Sequence, residues 1–134
     1  MEFKTSRNPA RASSHAILDI AFNALNYNDT VLINAPFKTE IRDKEWIEMM
    51  RKKLAEKNAK LCIIWVHTDI EVVHNRMVAR NSERDTWKIE HWDEYVATQN
   101  YTVPEGIPEL FVFNNSNDDE YDESIGKAVD YIRS

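Results

Sequence analysis

The chain has 134 residues, about the modal size of one domain, and its 43% hydrophobic and 30% charged residues are typical of a globular protein. A formal net charge of −6 argues against binding to duplex nucleic acid, since such binders usually have a basic surplus. No apolar run approaches the roughly 18 residues of a membrane span, and the N-terminus lacks the apolar segment of a secretory signal. Cys62 has no second cysteine to pair with. We therefore expect one cytoplasmic α/β domain over residues 1–134, without a membrane partner.

Glycine is scarce in this chain. Only Gly106 and Gly126 are present, where average usage gives roughly nine in a chain of this length. Loops that bind phosphate through backbone N–H groups need glycine, because a side chain would block the close approach. Neither G-x-G-x-x-G nor G-x-x-x-x-G-K-[ST] occurs in the sequence. The chain therefore contains no glycine-rich phosphate loop.

Hydrophobic periodicity and helix-start signals predict an alternation of helices and strands. In chain order these are a helix from Asn8-Pro9 to about residue 25, a strand at 30–34, a helix at 43–58, a strand at 61–66, a helix opening at Thr68-Asp69 and ending near 81, a helix at 85–100, a strand at 109–113 and a closing amphipathic helix. This order predicts a parallel sheet with helices on both faces and right-handed crossovers. His67 falls at the carboxyl end of a strand, where such sheets bind ligands.

A basic stretch is the strongest candidate for chemistry. Cations recur there at intervals of four residues: Arg76, Arg80, Arg84 and Lys88. On a helix this spacing places side chains on one face, and arginine presents planar donors that suit phosphate oxygens. Such groups stabilise the charge on a phosphoryl group during transfer. The alternative is a solvated surface on which Glu83 and Asp85 pair with the cations locally. Spacing alone does not decide between the two.

Three segments together resemble the later two-thirds of a small P-loop kinase. They are residues 31–37 (VLINAPF), the strand at 61–66 with Thr68-Asp69 and the helix after it, and the basic stretch just described. The resemblance is to the zeta-toxin, polynucleotide-kinase, shikimate-kinase and adenylate-kinase-like group, and it covers roughly residues 8–134. It implies a three-layer sheet of the P-loop NTPase type, here incomplete with about three parallel strands.

The resemblance also implies an activity and site residues. Members of the group use ATP and Mg²⁺ and transfer the γ-phosphoryl group to a small molecule or a polynucleotide end. By position, Arg76, Arg80 and Arg84 correspond to a lid-type phosphate clamp with Lys88 beside it, Asn114, Asn115 and Ser116 to the adenine loop, and Asn34 to the acidic Walker B residue that helps to hold Mg²⁺. An amide is a poorer ligand for this hard cation than a carboxylate, so a metal role for Asn34 is in doubt.

The Walker A lysine and the catalytic carboxylate of the group have no counterpart here. The resemblance therefore implies a domain that lacks the first strand, the P-loop and the second strand, and that is inactive or impaired alone. A missing central strand would expose apolar edges, so we expect a homo-oligomer or a partner segment. The alternative function is a non-enzymatic interaction module of the same fold. We expect weak, salt-sensitive binding of nucleotide phosphates, which Arg80→Ala would reduce without disturbing the fold.

Overall fold

A computed structural model describes the backbone of residues 9–134 and the side chains of residues 15–134. The chain divides into two compact units, Met1–Leu61 and Cys62–Ser134. The described elements are α1 (Pro9–Ala24), α2 (Lys38–Ile41), α3 (Lys44–Glu56), β1 (Ile63–His67), α4 (Ile70–Arg80), a 3-10 turn (Glu83–Asp85), α5 (Thr86–Glu90), α6 (Trp92–Thr98), β2 (Leu110–Asn114) and α7 (Asp118–Arg133). Within residues 9–134, no helix combines the length and apolar character that crossing a bilayer requires.

The first unit is helical and has an apolar core. Asp43 caps α3 by accepting a hydrogen bond from the backbone N–H of Glu45 at 3.0 Å. Met50 and Leu54 lie four residues apart on α3, so they share one helix face, and both pack against Leu18 of α1. The helical spacing in the sequence is thus confirmed for α3, whereas the short helix α2 was not expected.

The predicted strand at residues 30–34 is wrong. These residues have no regular secondary structure, and within residues 9–134 their backbone forms no hydrogen bond to a neighbour. Leu32 is 78% exposed and Ile33 38% exposed. Apolar, β-branched residues favour a strand only where another strand supplies hydrogen bonds and a packing surface, and residues 30–34 have neither.

The second unit contains a two-stranded parallel sheet. Ile63 pairs with Leu110 at one end of the register, and His67 pairs with Asn114 at the other. This confirms the parallel arrangement predicted for segments 61–66 and 109–113, and it confirms the α/β class. The expected count of about three strands is wrong, because the described residues form two.

Helix α7 covers β2 through aromatic contacts. The rings of Phe111 and Tyr131 are stacked with centroids 5.8 Å apart, and those of Phe113 and Tyr121 meet edge to face at 5.4 Å. Aromatic residues two apart on a strand point to the same face, so Phe111 and Phe113 present one surface to the helix. The closing helix is therefore confirmed, and it begins at Asp118 after the Asn117 cap.

The single helix predicted at 85–100 is interrupted. A 3-10 turn, α5 and α6 occupy this stretch, with His91 in a non-helical conformation between the two helices. The His91 ring stacks on Trp87 at 4.8 Å, and its Nδ1 lies 3.0 Å from the Trp87 carbonyl oxygen. The backbone N–H of His91 also donates to the Trp87 carbonyl at 2.9 Å, so the last turn of α5 closes at His91, and the break follows because the His91 backbone then leaves helical angles (φ −119°, ψ 44°).

Candidate functional site

The loops that follow β1 and β2 are joined at the carboxyl ends of the strands. The backbone N–H of Asn115 donates to the His67 carbonyl at 2.8 Å. The backbone N–H of Asp69 donates to Ser116 Oγ, also at 2.8 Å, and Thr68 Oγ lies 3.5 Å from the Asn115 carbonyl. Ligands of open parallel sheets bind at this end of the strands. The two loops therefore form one polar edge where a ligand is expected.

The three residues predicted to border adenine lie together at this edge. Asn114 is the last residue of β2 and is exposed, while Asn115 and Ser116 are half-buried. The backbone N–H of Asn114 donates to the hydroxyl of Ser124 at 3.0 Å, and Ser124 is only 5% exposed. This contact anchors the end of β2 to α7. Whether Asn114, Asn115 and Ser116 contact a base stays a prediction.

Helix α4 carries two of the predicted clamp arginines. Arg76 and Arg80 are four residues apart on it and both are exposed, so they lie on one helix face. Arg84 follows in the 3-10 turn and is also exposed. Within the described part of the chain, neither Arg76 nor Arg84 forms an ion pair or hydrogen bond. Two of the three arginines are therefore unpaired in the second unit.

Arg80 differs from them because it pairs with a buried carboxylate. Its Nε and Nη2 donate to Asp85 Oδ2 at 2.8 Å and 2.5 Å. The Asp85 side chain is 1% exposed, whereas that of Arg80 is 47% exposed. The chain reverses between them at Asn81, which has left-handed backbone angles (φ 49°, ψ 45°) and ends α4. The pair thus closes the turn between α4 and α5.

This pair changes two expectations. The local pairing that the solvated-surface alternative required does occur at Asp85, but the carboxylate is buried rather than solvated. Arg80→Ala would leave that carboxylate without its ionic partner, which is costly inside a protein. We therefore no longer expect Arg80→Ala to leave the fold undisturbed, because it removes the partner of a buried carboxylate.

Lys88 does not continue the arginine face. It is half-buried on α5, a separate helix, and its Nζ lies 5.2 Å from the centroid of the Tyr95 ring. This is a cation–π contact within the unit. The neighbouring Tyr101 is partly buried, and burial followed by a hydrogen bond with Tyr95 raises its pKa from 10.0 to about 12. Lys88 and these tyrosines therefore form a packed contact between α5 and the segment around α6.

Asn34 does not look like a metal ligand. It is exposed and lies in the unpaired segment 30–34 of the first unit. Among the described residues, no group of three His, Cys, Asp or Glu side chains is placed to hold a metal ion. The described residues around Asn34 therefore do not offer a donor set that fits a protein-bound Mg²⁺.

Sequence reasoning missed two features of this region. The composition of the sequence does not indicate that Asp85 is buried, although its position five residues after Arg80 made a local ion pair possible. The stack of His74 on Trp92, with ring centroids 4.2 Å apart, links α4 to α6 and was not foreseen either. Comparisons with protein-family models, with curated proteins and with solved structures find no match. The geometry and charges of the site itself are therefore the basis for a function.

Proposed function

We propose that the second unit binds the phosphate groups of a nucleotide, as the phosphate-contacting part of a kinase-like α/β protein. The observation that supports this most is the set of exposed arginines on α4 and the turn after it, two of which have no carboxylate partner among the residues that the structure describes. Unpaired like charges are unfavourable near each other, and a polyanion relieves that repulsion. Arginine also matches phosphate geometry better than lysine does.

The edge formed by residues 67–69 and 114–116 supplies the second part of the proposal. It offers side-chain hydroxyl and amide groups, which suit the base and ribose of a nucleotide better than they suit phosphate. In this arrangement the arginines contact phosphate oxygens and the edge contacts the nucleoside. The hydroxyl and amide groups of this edge would orient the ligand, while the arginine charges supply most of the affinity.

We expect binding without measurable phosphoryl transfer by this chain alone. Arginines stabilise the charge on the transferring oxygens, but backbone donors of a glycine-rich loop and its lysine hold the phosphates in P-loop kinases. The sequence contains no such loop. A dissociation constant on the order of millimolar follows, equivalent to roughly 4 kcal/mol.

Calorimetric titration with ATP–Mg²⁺ at low and physiological salt tests the proposal. Wild type should bind more weakly as salt rises, because exposed charges are screened within about 8 Å at physiological ionic strength. The double variant Arg76→Ala/Arg84→Ala should lose about tenfold in affinity, and Arg133→Ala on α7, a matched exposed arginine, should lose nothing. The proposal would be contradicted if wild type does not bind ATP–Mg²⁺, or if Arg133→Ala loses as much affinity as Arg76→Ala/Arg84→Ala.

A role as an interaction module is the second candidate, and the segment 30–34 favours it. Within residues 9–134 this segment is β-prone, largely exposed and unpaired, each strand of the two-stranded sheet has one unpaired edge, and Val66 is 59% exposed. Exposed strands and sheet edges associate with one another. In this candidate, residues 30–34 pair with a second copy of the chain. Light scattering should then report a dimer or larger species that Leu32→Asp disrupts, whereas a clean monomer would contradict it.

A further inference from the structure

Asp85 is unusually buried for a charged residue. Its 1% exposure is lower than that of any apolar core side chain in residues 15–134, of which the lowest, Ile47, is 3% exposed. Removing a carboxylate from water is unfavourable even after the protein relaxes, and an ion pair offsets this cost only with good geometry. An apolar residue of similar size would serve stability as well or better. A charge at this position therefore needs another explanation.

The geometry of the pair suggests what the charge does. Both hydrogen bonds reach one oxygen, Asp85 Oδ2, from the Nε and Nη2 of Arg80, and together they fix the plane of the guanidinium. Neither bond uses Nη1, whose donors stay without a partner in the described residues. The Arg80 side chain is 47% exposed, so the protein holds the guanidinium along its Nε and Nη2 edge while part of the side chain stays open to solvent.

An arginine that is ordered in advance binds an anion at lower entropic cost. A long side chain loses conformational entropy when it is fixed, and pre-organisation removes that cost from binding. Arg76 and Arg84 have no such support within the described chain. We propose that Asp85 is a positioning residue, which holds Arg80 ready to contact a phosphate group. This inference depends on the proposed function of the second unit.

A double-mutant cycle separates positioning from a general structural role. NMR shift titrations with inorganic tripolyphosphate, which cover the millimolar range, would be made on wild type, Asp85→Asn, Arg80→Ala and the double variant. Urea unfolding of each protein reports stability in parallel. Asn keeps the size of Asp and an acceptor oxygen but loses the charge, so it weakens the hold on Arg80 without opening a cavity. If Arg80→Ala does not fold, Arg80→Gln takes its place in the cycle.

We expect Asp85→Asn and Arg80→Ala to weaken tripolyphosphate binding by a similar factor, about three- to tenfold. In the Arg80→Ala background, Asp85→Asn should produce no further loss, because its effect passes through Arg80. Unchanged affinity in Asp85→Asn would overturn the proposal, and so would an equal loss in both backgrounds, which indicates a general loosening of the turn. If wild type does not bind tripolyphosphate, or if Arg76→Ala/Arg84→Ala binds as wild type does, the proposed function itself fails.

Discussion

The core of the first unit and the α4–α5 turn of the second unit are both well buried, but by different means. Leu18, Met50 and Leu54 exclude water with apolar side chains and need no partner of a particular geometry. Asp85 reaches lower exposure than any of them and is compatible with burial only because Arg80 faces it. Apolar burial contributes stability, whereas a buried ion pair contributes little net stability and fixes an orientation. We therefore expect the apolar core to contribute most of the stability and the α4–α5 turn to contribute to function.

The largest effect is expected in the apolar core. Leu54→Ala should lower the free energy of unfolding by about 3 kcal/mol, since it removes buried methyl groups and leaves a cavity. Leu32→Ala is the matched control, because Leu32 is 78% exposed and its loss should change stability by no more than about 0.5 kcal/mol. Urea unfolding measures both. Equal changes in the free energy of unfolding for the two substitutions would contradict a core formed by Leu18, Met50 and Leu54.

A smaller effect is expected at the ion pair. Arg80→Ala should cost about 2 kcal/mol, because the buried Asp85 carboxylate loses its ionic partner, while the space left by the half-exposed Arg80 side chain lets water approach it. The double variant Arg80→Met/Asp85→Leu should recover most of that stability and lose the contribution of Arg80 to phosphate binding. If Arg80→Met/Asp85→Leu is less stable than Arg80→Ala, the ion pair contributes substantial net stability, and the claim that it mainly fixes an orientation is wrong.

A still smaller loss of stability is expected at the hydrogen bond that anchors the end of β2 to Ser124 of α7. Ser124→Ala removes the acceptor of the Asn114 backbone N–H, and we expect a loss of about 1 kcal/mol. Ser82→Ala is the control, since Ser82 precedes the 3-10 turn without a side-chain capping bond. The two thermal midpoints should differ measurably. A stable Ser124→Ala protein would mean that water replaces the hydroxyl.

The smallest effect is a pH dependence at the far end of α7. The Tyr131 hydroxyl donates to the Glu109 carbonyl, and burial, followed by the proximity of Cys62, raises the Tyr131 pKa from 10.0 to about 12. Below pH 10 both folded and unfolded chains keep the proton, so the contribution is fully present. Above this pH the unfolded chain loses its proton first, and stability falls until about pH 12.

Urea unfolding across this alkaline range tests the assignment. Tyr131→Phe should flatten the decline in stability, because the group that titrates is gone. Tyr27→Phe should leave the decline unchanged, since Tyr27 is 83% exposed. A decline that persists unaltered in Tyr131→Phe would assign the effect to another group.

Elements that depend on local pattern were predictable from the sequence, and those that depend on a partner were not. Helix α3 follows from its capping residue and apolar face, and the parallel pair of β1 and β2 from two apolar runs joined by helices. Residues 30–34 have the same strand-like composition, yet no strand within the described residues 9–134 pairs with them. Composition reports the tendency to form a strand, and pairing decides the outcome.

The candidate site shows the same division. The exposed arginines at 76, 80 and 84 and the loop at 114–116 could be chosen from spacing and from position after a strand. The pairing that distinguishes Arg80 from the other two depends on the left-handed turn at Asn81 and on the burial of Asp85. Neither has a signature in spacing, because both arise from how the chain reverses after α4.

The most direct test of phosphate binding is an NMR titration that follows the Nε–H signals of the arginine side chains. The Arg80 signal should be resolved and slow to exchange with water before any ligand is added, because Asp85 accepts its hydrogen bond. On addition of tripolyphosphate, the signals of Arg76, Arg80 and Arg84 should shift with a common millimolar midpoint, and that of Arg133 should not. Equal shifts for all arginines, or none for these three, would contradict a phosphate site on α4 and its following turn.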